Sequence, residues 1–155
     1  MHTRKVVTSI RIADINDIPQ LCTLLHILFS QELEFSPNKK LQSEGLSEII
    51  NRPEVGDIVI ATEGSRIIGM VNILYTISTA LGGVVAILED MLVSPNERGK
   101  GIGSKMLTYS LELAISKGCQ RITLLTDDDN ETAHRFYEKH GFNRSSMTVY
   151  RKSLS

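Results

Sequence analysis

The chain has 155 residues, which suits one domain and is long enough to fold around a core without disulfide or metal support. Hydrophobic residues make up 41% of it and charged residues 23%, a balance that excludes extended disorder. Its formal net charge of −1 argues against binding to nucleic-acid phosphates. Its two cysteines form neither a disulfide scaffold nor a zinc motif. We therefore expect a single domain over residues 1–155, with no metal and no nucleic-acid partner.

Two segments bear on where the protein resides. The N-terminus, Met1-His2-Thr3-Arg4, lacks the apolar core of a signal peptide, which predicts a cytoplasmic protein. Residues 67–88 carry no charge and are about long enough to span a bilayer. Polar side chains and the pair Gly82-Gly83 interrupt this stretch, so two buried strands joined by a tight turn explain it better, and we expect no membrane association.

The first half of the chain predicts one strand, two helices and three further strands. Residues 8–13 alternate polar and apolar side chains, as a half-buried strand does. Asp17 then stands where the N-cap of a helix belongs, with Pro19 in the first turn of that helix. A second helix is predicted over about residues 41–51. The three further strands are predicted at residues 57–62, 66–75 and 84–93.

The second half of the chain predicts alternating helices and strands. A helix is predicted over residues 101–117, with Gly118 as its C-cap. A short strand at 122–126, a helix at 130–140 and a final strand at 147–152 complete the order. Hairpin strands followed by this alternation predict an α/β (α+β) fold, in which about four helices flank a mixed, mostly antiparallel sheet.

The strongest chemical signal is a glycine-rich loop at residues 97–104, ERGKGIGS, between a predicted strand and a predicted helix. Its three glycines let the backbone turn tightly and bring its N–H groups close to a ligand. The first N–H groups of the following helix have no partner within the helix and carry the positive end of its dipole. Arg98, Lys100 and Lys105 against Glu97 give the loop a local charge of +2, so it suits an anion such as pyrophosphate.

The spacing of the glycines leaves more than one interpretation open. The loop is not a Walker A motif, because the pattern GxxxxGK[S/T] is absent from the chain. It misses the dinucleotide pattern GxGxxG by one residue, at Ser104, although Asp127 stands where a ribose-binding acid would. A plain glycine-rich turn with a basic rim also fits the spacing.

Three segments together resemble the GNAT superfamily of N-acetyltransferases. Residues 98–103, RGKGIG, resemble its acetyl-CoA loop, whose pattern is (Q/R)xxGx(G/A). Residues 88–95, LEDMLVSP, resemble the strand before that loop, and residues 130–142, NETAHRFYEKHGF, resemble its N..A..FY...GF segment. The resemblance implies the acyl-CoA N-acyltransferase fold. It also implies an enzyme that transfers the acetyl group of acetyl-CoA to a primary amine of a small molecule or peptide, by direct attack in a ternary complex.

The resemblance also implies which residues bind acetyl-CoA. In this family the pantetheine arm lies in a gap between the strand before the loop and the next strand, and N–H groups of the loop bind the pyrophosphate. Asn130 is implied as a contact from the start of a helix, although an N-cap role explains it equally well. The implied cofactor-binding residues are Met91, Leu92, Val93, Arg98, Gly99, Lys100, Gly101, Ile102, Gly103, Ser104, Asn130, Ala133 and Tyr137.

Two residues are candidates for catalysis. An alkylamine with a pKa of ~10.4 is only about 0.04% neutral at pH 7, so a proton must be removed before attack. Glu89 is the candidate base, acting through water, and strand alternation puts Asp90 on the opposite face unless a bulge intervenes. Tyr137 matches the family's tyrosine beside the cofactor sulfur, which implies a general acid for the leaving thiolate. A structural acid at Glu89 and a packed tyrosine at Tyr137 are the alternatives.

The acceptor is expected to be a cationic amine. Asp90 joins Glu89 as a substrate-binding candidate, because both acids suit a cationic amine. Phe29 is a third, because the family builds its acceptor pocket partly from the first two helices and their loop, and partly from the C-terminal strands. The sequence LED at 88–90 also resembles the polyamine-acetylating members, so we expect a polyamine, then an amino-acid amine, then an aminoglycoside. Glu32 and Glu34 would add to the acidic character of the pocket.

Two further possibilities follow from the resemblance. Members of this family are often dimers, so a homodimer is consistent with it. The rival hypothesis is a non-catalytic acyl-CoA-binding regulatory module on the same fold, since a fold does not fix a function.

Overall fold

The central feature of the fold is one five-stranded sheet. The computed structural model describes residues 7–31 and 37–155, so Glu32 and Glu34 lie outside the described residues. Neighbouring strands follow chain order; the first four are antiparallel, and the last is parallel to the fourth. This confirms the predicted mixed, mostly antiparallel sheet. The strands are β1 (Thr8–Ile12), β2 (Gly56–Glu63), β3 (Arg66–Ser78), β4 (Gly83–Val93) and β5 (Ile122–Leu124).

The chain divides into two compact units, Met1–Leu125 and Thr126–Ser155. Among the described residues, the first unit contains the sheet and three α-helices, and the second contains one α-helix. These helices confirm the predicted ones to within about two residues at each end, the usual spread for helix boundaries. The four helices are α1 (Ile18–Gln31), α2 (Lys39–Asn51), α3 (Ile102–Ser116) and α4 (Glu131–Lys139).

Helices cover both faces of the sheet in the first unit. Ile58 and Ile60 of β2 belong to a buried cluster with residues of α1 and α2, so these two helices cover one face. Successive strand residues point to opposite faces, which directs Val59 and Ala61 to the other face, where α3 packs. Gly69 of β3 permits this packing, because a Cβ atom there would lie 2.9 Å from Cε of Met106 in α3.

The start of α1 corrects one prediction. Asp14, rather than Asp17, is the N-cap, and its carboxylate accepts a hydrogen bond from the N–H of Asn16 at 2.9 Å. A single 3-10 turn, Ile15–Asp17, precedes the α-helix, and this turn moves the cap three residues earlier than the pattern indicated. The Asp17 carboxylate instead accepts from the N–H of Asp14 at 2.8 Å and from the Arg11 guanidinium at 2.8 and 2.9 Å.

The Arg11–Asp17 ion pair predicts a pH-dependent stability. The hydrogen bonds from Arg11 lower the pKa of the Asp17 carboxyl. We expect Asp17→Asn to lower the free energy of unfolding at pH 7 by about 1 kcal/mol, and the Tm by about 2–4 °C. Because a carboxyl whose pKa falls on folding stabilises the protein above its unfolded pKa, the difference should be full at pH 7 and shrink below about pH 4. Thermal unfolding between about pH 7 and pH 2.5 measures it; a constant difference would exclude the ion pair as its source.

The C-terminal segment corrects a second prediction. No strand forms at residues 147–152, which the structure describes in full. Met147, Val149 and Tyr150 are 87%, 56% and 93% exposed, so the alternation of apolar side chains covers no core. A strand gains stability only when its apolar face packs and its backbone pairs, and neither occurs here. In the described part of the chain, no helix is both long enough and apolar enough to cross a membrane.

Candidate active site

A β-bulge interrupts β4 where catalytic residues were expected. Asn72 of β3 pairs with Glu89, but Met70 pairs with Leu92. Strand β4 therefore carries one more residue than β3 between these two pairs. A bulge of this kind changes the direction in which nearby side chains point. Strand alternation predicted Glu89 and Asp90 on opposite faces unless a bulge intervened, and such a bulge is present here.

Asp90 lies within the bulge and has an unusual backbone conformation. Its φ is +54°, and among the described residues it is the one non-glycine residue with a positive φ. Asparagine and aspartate tolerate this region better than other side chains, but it is still uncommon for them. The Asp90 carboxylate accepts a hydrogen bond from Nδ2 of Asn72 at 2.8 Å, and Asn72 is only 4% exposed. A buried amide thus orients the carboxylate of the bulge.

A cavity of about 340 Å³ lies on the α1/α2 side of the sheet at this bulge. Glu89 and Asp90 both line it, so the bulge brings together two acids that a regular strand would separate. Phe29 lines it as well, which puts all three predicted substrate-binding residues at one cavity. The volume is at the small end of the range for ligand sites. The apolar part of the wall is formed by Leu25, Phe29, Leu41, Leu46 and Ile49.

Two buried polar atoms at this cavity have no hydrogen-bond partner within the described part of the chain. They are Nε2 of Gln42, on α2, and Oδ1 of Asn72, on β3. Gln42 is 8% exposed, and both residues line the cavity. A buried polar atom without a partner costs about 1–3 kcal/mol, and native proteins rarely leave one. The cavity therefore offers one donor and one acceptor, in addition to its two carboxylates, to whatever occupies it.

Strand β4 extends beyond the strand that follows it in the sheet. Strand β5 pairs only with residues 86–88 of β4, and its last residue, Leu124, is opposite Leu88. Residues 89–93 of β4 therefore run past the end of this pairing, at the position expected for the pantetheine arm. Leu92 has its side chain in the core, at 5% exposure, so a ligand at this edge would meet its main chain.

The glycine loop after β4 has the geometry of an anion site. Gly99 and Gly101 have φ values of +81° and +76°, which other residues rarely adopt. A Cβ atom at either position would meet none of the described atoms within 4 Å, so the space beside the loop is open. Gly101 is the N-cap of α3 and brings no side chain to the first N–H groups of that helix. Open space, N–H donors and the positive end of a helix dipole together fit a pyrophosphate.

A buried carboxylate organises this loop. Glu97 is 6% exposed and accepts hydrogen bonds from Nζ of Lys100 at 2.9 Å and from Arg66 at 2.6 Å. The bond from Lys100, supported by Arg66, lowers the pKa of the Glu97 carboxyl. Arg98 donates from Nε to the carbonyl of Val93 at 3.2 Å, which ties the loop to the end of β4. With Arg66 included, the positive charge around the loop is larger than the sequence indicated.

The second unit contains the remaining candidate residues. Asn130 accepts a hydrogen bond from the N–H of Ala133 at 3.1 Å and is the N-cap of α4, the structural role proposed for it. The ring of Tyr137 packs edge-to-face against Phe136 and Phe142, with centroids 5.1 and 5.8 Å away. Burial raises the pKa of the Tyr137 hydroxyl to about 12, so this group is protonated at neutral pH.

Sequence reasoning did not find Gln42, Asn72 or Arg66. Asn72 carried a signal, because it is the one amide in the apolar run at 67–74, IIGMVNIL, of a central strand. A polar residue that is buried in this way requires a partner. Gln42 and Arg66 carried no signal, since Asn72, which lines the same cavity as Gln42, and Glu97, which pairs with Arg66, are each about thirty residues away in the sequence.

The chain belongs to the acetyltransferase (GNAT) family, whose model matches residues 20–142. This confirms the resemblance seen in the glycine loop and the FY...GF segment. The matched residues include the whole of the glycine loop.

Comparison with individual proteins agrees with the family assignment. The uncharacterised N-acetyltransferase YhfO of Bacillus subtilis is 31% identical over 93 residues, 60% of this chain and 62% of that protein. The aminoalkylphosphonate N-acetyltransferase of Salmonella typhimurium is 24% identical over 139 residues, 90% of this chain and 87% of that protein. An integron cassette protein from a Cole Harbour salt-marsh metagenome has a TM-score of 0.82 at 25% identity, covering 94% of this chain and 90% of that one. The chain spans about half to two thirds of the length of the first curated relatives that it matches.

Proposed function

We propose that this chain is a cytoplasmic, acetyl-CoA-dependent N-acetyltransferase that acetylates a primary amine of a small molecule or peptide in a ternary complex. The observation that carries the proposal is the bulge in β4, which brings Glu89 and Asp90 together at one cavity. The same strand leads within a few residues to a loop that fits an anion. Paired carboxylates suit a cationic amine, and the loop suits the pyrophosphate of acetyl-CoA.

The residues of the first unit fit acetyl-CoA in two regions. The backbone N–H groups from Arg98 to Ser104 would hold the pyrophosphate, and main-chain groups of Met91, Leu92 and Val93 would hold the pantetheine amides. When bound, acetyl-CoA supplies an acetyl thioester, whose carbon–sulfur bond is exchanged for a carbon–nitrogen bond with release of the CoA thiol and one proton. Arg98 and Lys105 would add positive charge near the phosphates.

Glu89 and Tyr137 are assigned the two proton transfers. Keeping an alkylamine neutral at pH 7 costs about 4.6 kcal/mol, so Glu89, acting through water, would take a proton from the ammonium group. The exposed position of Glu89 suits this relay, because water reaches its carboxylate. Tyr137 would give a proton to the leaving sulfur, since a tyrosine hydroxyl is protonated at neutral pH. Asp90, oriented by Asn72, would bind the ammonium group rather than exchange its proton.

Replacing Glu89 with glutamine tests the assignment of the base. Without the carboxylate, the rate should depend on the small neutral fraction of the amine and rise with pH toward the pKa of the free amine. We expect kcat/KM at pH 7 to fall by about 10²–10⁴-fold and the pH–rate profile to move toward alkaline pH. Glu112→Gln, an exposed position on α3, is the matched control. If the pH–rate profile of Glu89→Gln stayed unchanged, Glu89 would have a structural role and would not be the base.

Gly45 provides a separate test of the cavity. It lies inside α2 and lines the cavity, and a Cβ atom there would meet none of the described atoms within 4 Å. Gly45→Ala should stabilise the fold by about 0.4–1 kcal/mol, which raises the Tm by about 1–4 °C. Gly45→Leu should retain helix propensity but fill part of the cavity, and so raise KM for the amine several-fold without weakening acetyl-CoA binding. Thermal unfolding and steady-state kinetics measure both effects; an unchanged KM in Gly45→Leu would place the amine elsewhere.

A further inference from the structure

The cavity at the bulge combines acceptor atoms on the sheet with a donor on α2. The carboxylates of Glu89 and Asp90 can accept hydrogen bonds from an ammonium group. So can Oδ1 of Asn72, which has no partner among the described residues. On α2, Nε2 of Gln42 can only donate. The polar groups of the cavity thus fit a molecule with a donor at one position and an acceptor at another.

Because Gln42 is buried, a ligand that fills the cavity binds well only if it offers a hydrogen-bond acceptor to Nε2 of Gln42. Gln42 is 8% exposed, and its Nε2 has no partner in the part of the chain that the structure describes. Water can satisfy this atom while the cavity is empty of ligand, but a ligand that displaces the water must replace its oxygen or lose affinity. An ammonium or methyl group cannot accept a hydrogen bond, whereas a hydroxyl, carbonyl or carboxylate oxygen can.

We propose that Gln42 determines acceptor specificity by donating a hydrogen bond to an oxygen of the substrate, so that the cavity selects oxygen-bearing amines over polyamines. The ammonium group of such a substrate lies at Glu89, Asp90 and Asn72, and its oxygen lies at Gln42. The inference rests on the proposed acetyl transfer to an amine, and it reverses the order expected from the sequence, in which polyamines came first. The small volume of the cavity, about 340 Å³, suits an amino alcohol, an amino acid amide or an amino sugar.

The test uses primary alkylamines of about three to six carbons that differ only at the far end. That end is a methyl, ammonium, hydroxyl or carboxamide group, which have similar size but different hydrogen-bonding capacity. At the chain length that gives the highest kcat/KM, we expect the hydroxyl and carboxamide compounds to exceed the methyl and ammonium compounds in kcat/KM by about tenfold. Binding of each amine to the full chain saturated with CoA is measured by calorimetry, which reports preference without turnover.

Gln42→Met removes the donor while keeping the length of the side chain. It should abolish the preference for the hydroxyl and carboxamide compounds, in both kcat/KM and binding. Gln42→Glu replaces the donor with acceptors and should turn the preference toward the ammonium compound. Gln120→Met makes the same chemical change at an exposed position outside the cavity and should retain the original preference. Thermal unfolding establishes that each variant is folded.

The outcomes separate this inference from the proposed function. Transfer without any preference for oxygen, or a preference that Gln42→Met does not change, overturns the inference and leaves the acetyltransferase intact. A preference that depends on Gln42 in binding, without transfer to any amine, supports the specificity role and overturns the proposed reaction. Absence of both binding and transfer for every amine overturns both.

Discussion

Tyr137→Phe is expected to lower kcat by about 10²–10⁴-fold while acetyl-CoA binding stays largely intact. The substitution removes one hydroxyl group and keeps the ring that packs against Phe136 and Phe142. The Tyr137 hydroxyl carries its proton at neutral pH, as a tyrosine does, and its loss leaves the departing thiolate without an acid. Steady-state kinetics with saturating acetyl-CoA, combined with calorimetric titration of acetyl-CoA, separate the two quantities.

Tyr150→Phe is the matched control, since Tyr150 is 93% exposed and also loses only a hydroxyl group. Its kinetics should equal those of the unmodified chain. If Tyr137→Phe turned over at the normal rate, Tyr137 would be a packing residue and another group would protonate the sulfur. A loss of acetyl-CoA affinity equal to the loss of kcat would instead indicate a binding role.

Gly101→Ala is expected to weaken acetyl-CoA binding by about tenfold or more. Gly101 has a φ of +76° at the start of α3, and a side chain there would enter the open space beside the loop. The substitution also strains the backbone, at a cost of about 1–2 kcal/mol. The expected loss of affinity comes from the N–H groups of the loop, which would no longer approach the pyrophosphate closely.

Gly118→Ala separates backbone strain from loss of binding. Gly118 has a φ of +81° at the other end of α3, and a Cβ atom there also meets none of the described atoms within 4 Å. Both variants should therefore lose similar stability, with a fall in Tm of about 2–8 °C. Only Gly101→Ala should lose affinity for acetyl-CoA in calorimetry. Equal affinities in the two variants would mean that the loop does not bind this ligand.

Much of the fold could be predicted because local signals agree with it. Gly118 follows the C-cap of α3 with a positive φ, and Asn130 is the N-cap of α4, so residue type and hydrophobic spacing predicted these boundaries to within about one residue. The cap before α1 was placed at Asp17 because Asp14 and Asp17 are both good capping residues, and only the structure distinguishes the cap from its partner; α1 itself begins at Ile18, directly after Asp17. The strand predicted at residues 147–152 failed because alternation indicates an amphipathic strand but not whether a neighbouring strand is available for pairing.

The part of the candidate site that depends on residues suited to unusual backbone angles could be predicted. The part that depends on how β3 pairs with β4 could not. The glycine loop could be recognised in the sequence because its glycines tolerate a positive φ, and Gly99 and Gly101 both adopt one. The bulge at Asp90 could not be derived, because an extra residue in one strand is defined only by its pairing with another. For the same reason, the bond from Asn72 to Asp90 lay beyond sequence reasoning, although a buried amide in an apolar strand indicated that some partner existed.

The most direct test of the proposed function incubates the full chain with acetyl-CoA and a panel of primary amines, and measures released CoA thiol together with the mass of the products. We predict equal amounts of thiol and acetylated amine for at least one oxygen-bearing amine. Acetyl-CoA at about 100 times its Kd should also add ~2.7 kcal/mol of stability, which raises the Tm by about 5–10 °C. That stabilisation without any acetylated amine would contradict the account and identify a non-catalytic acyl-CoA-binding module.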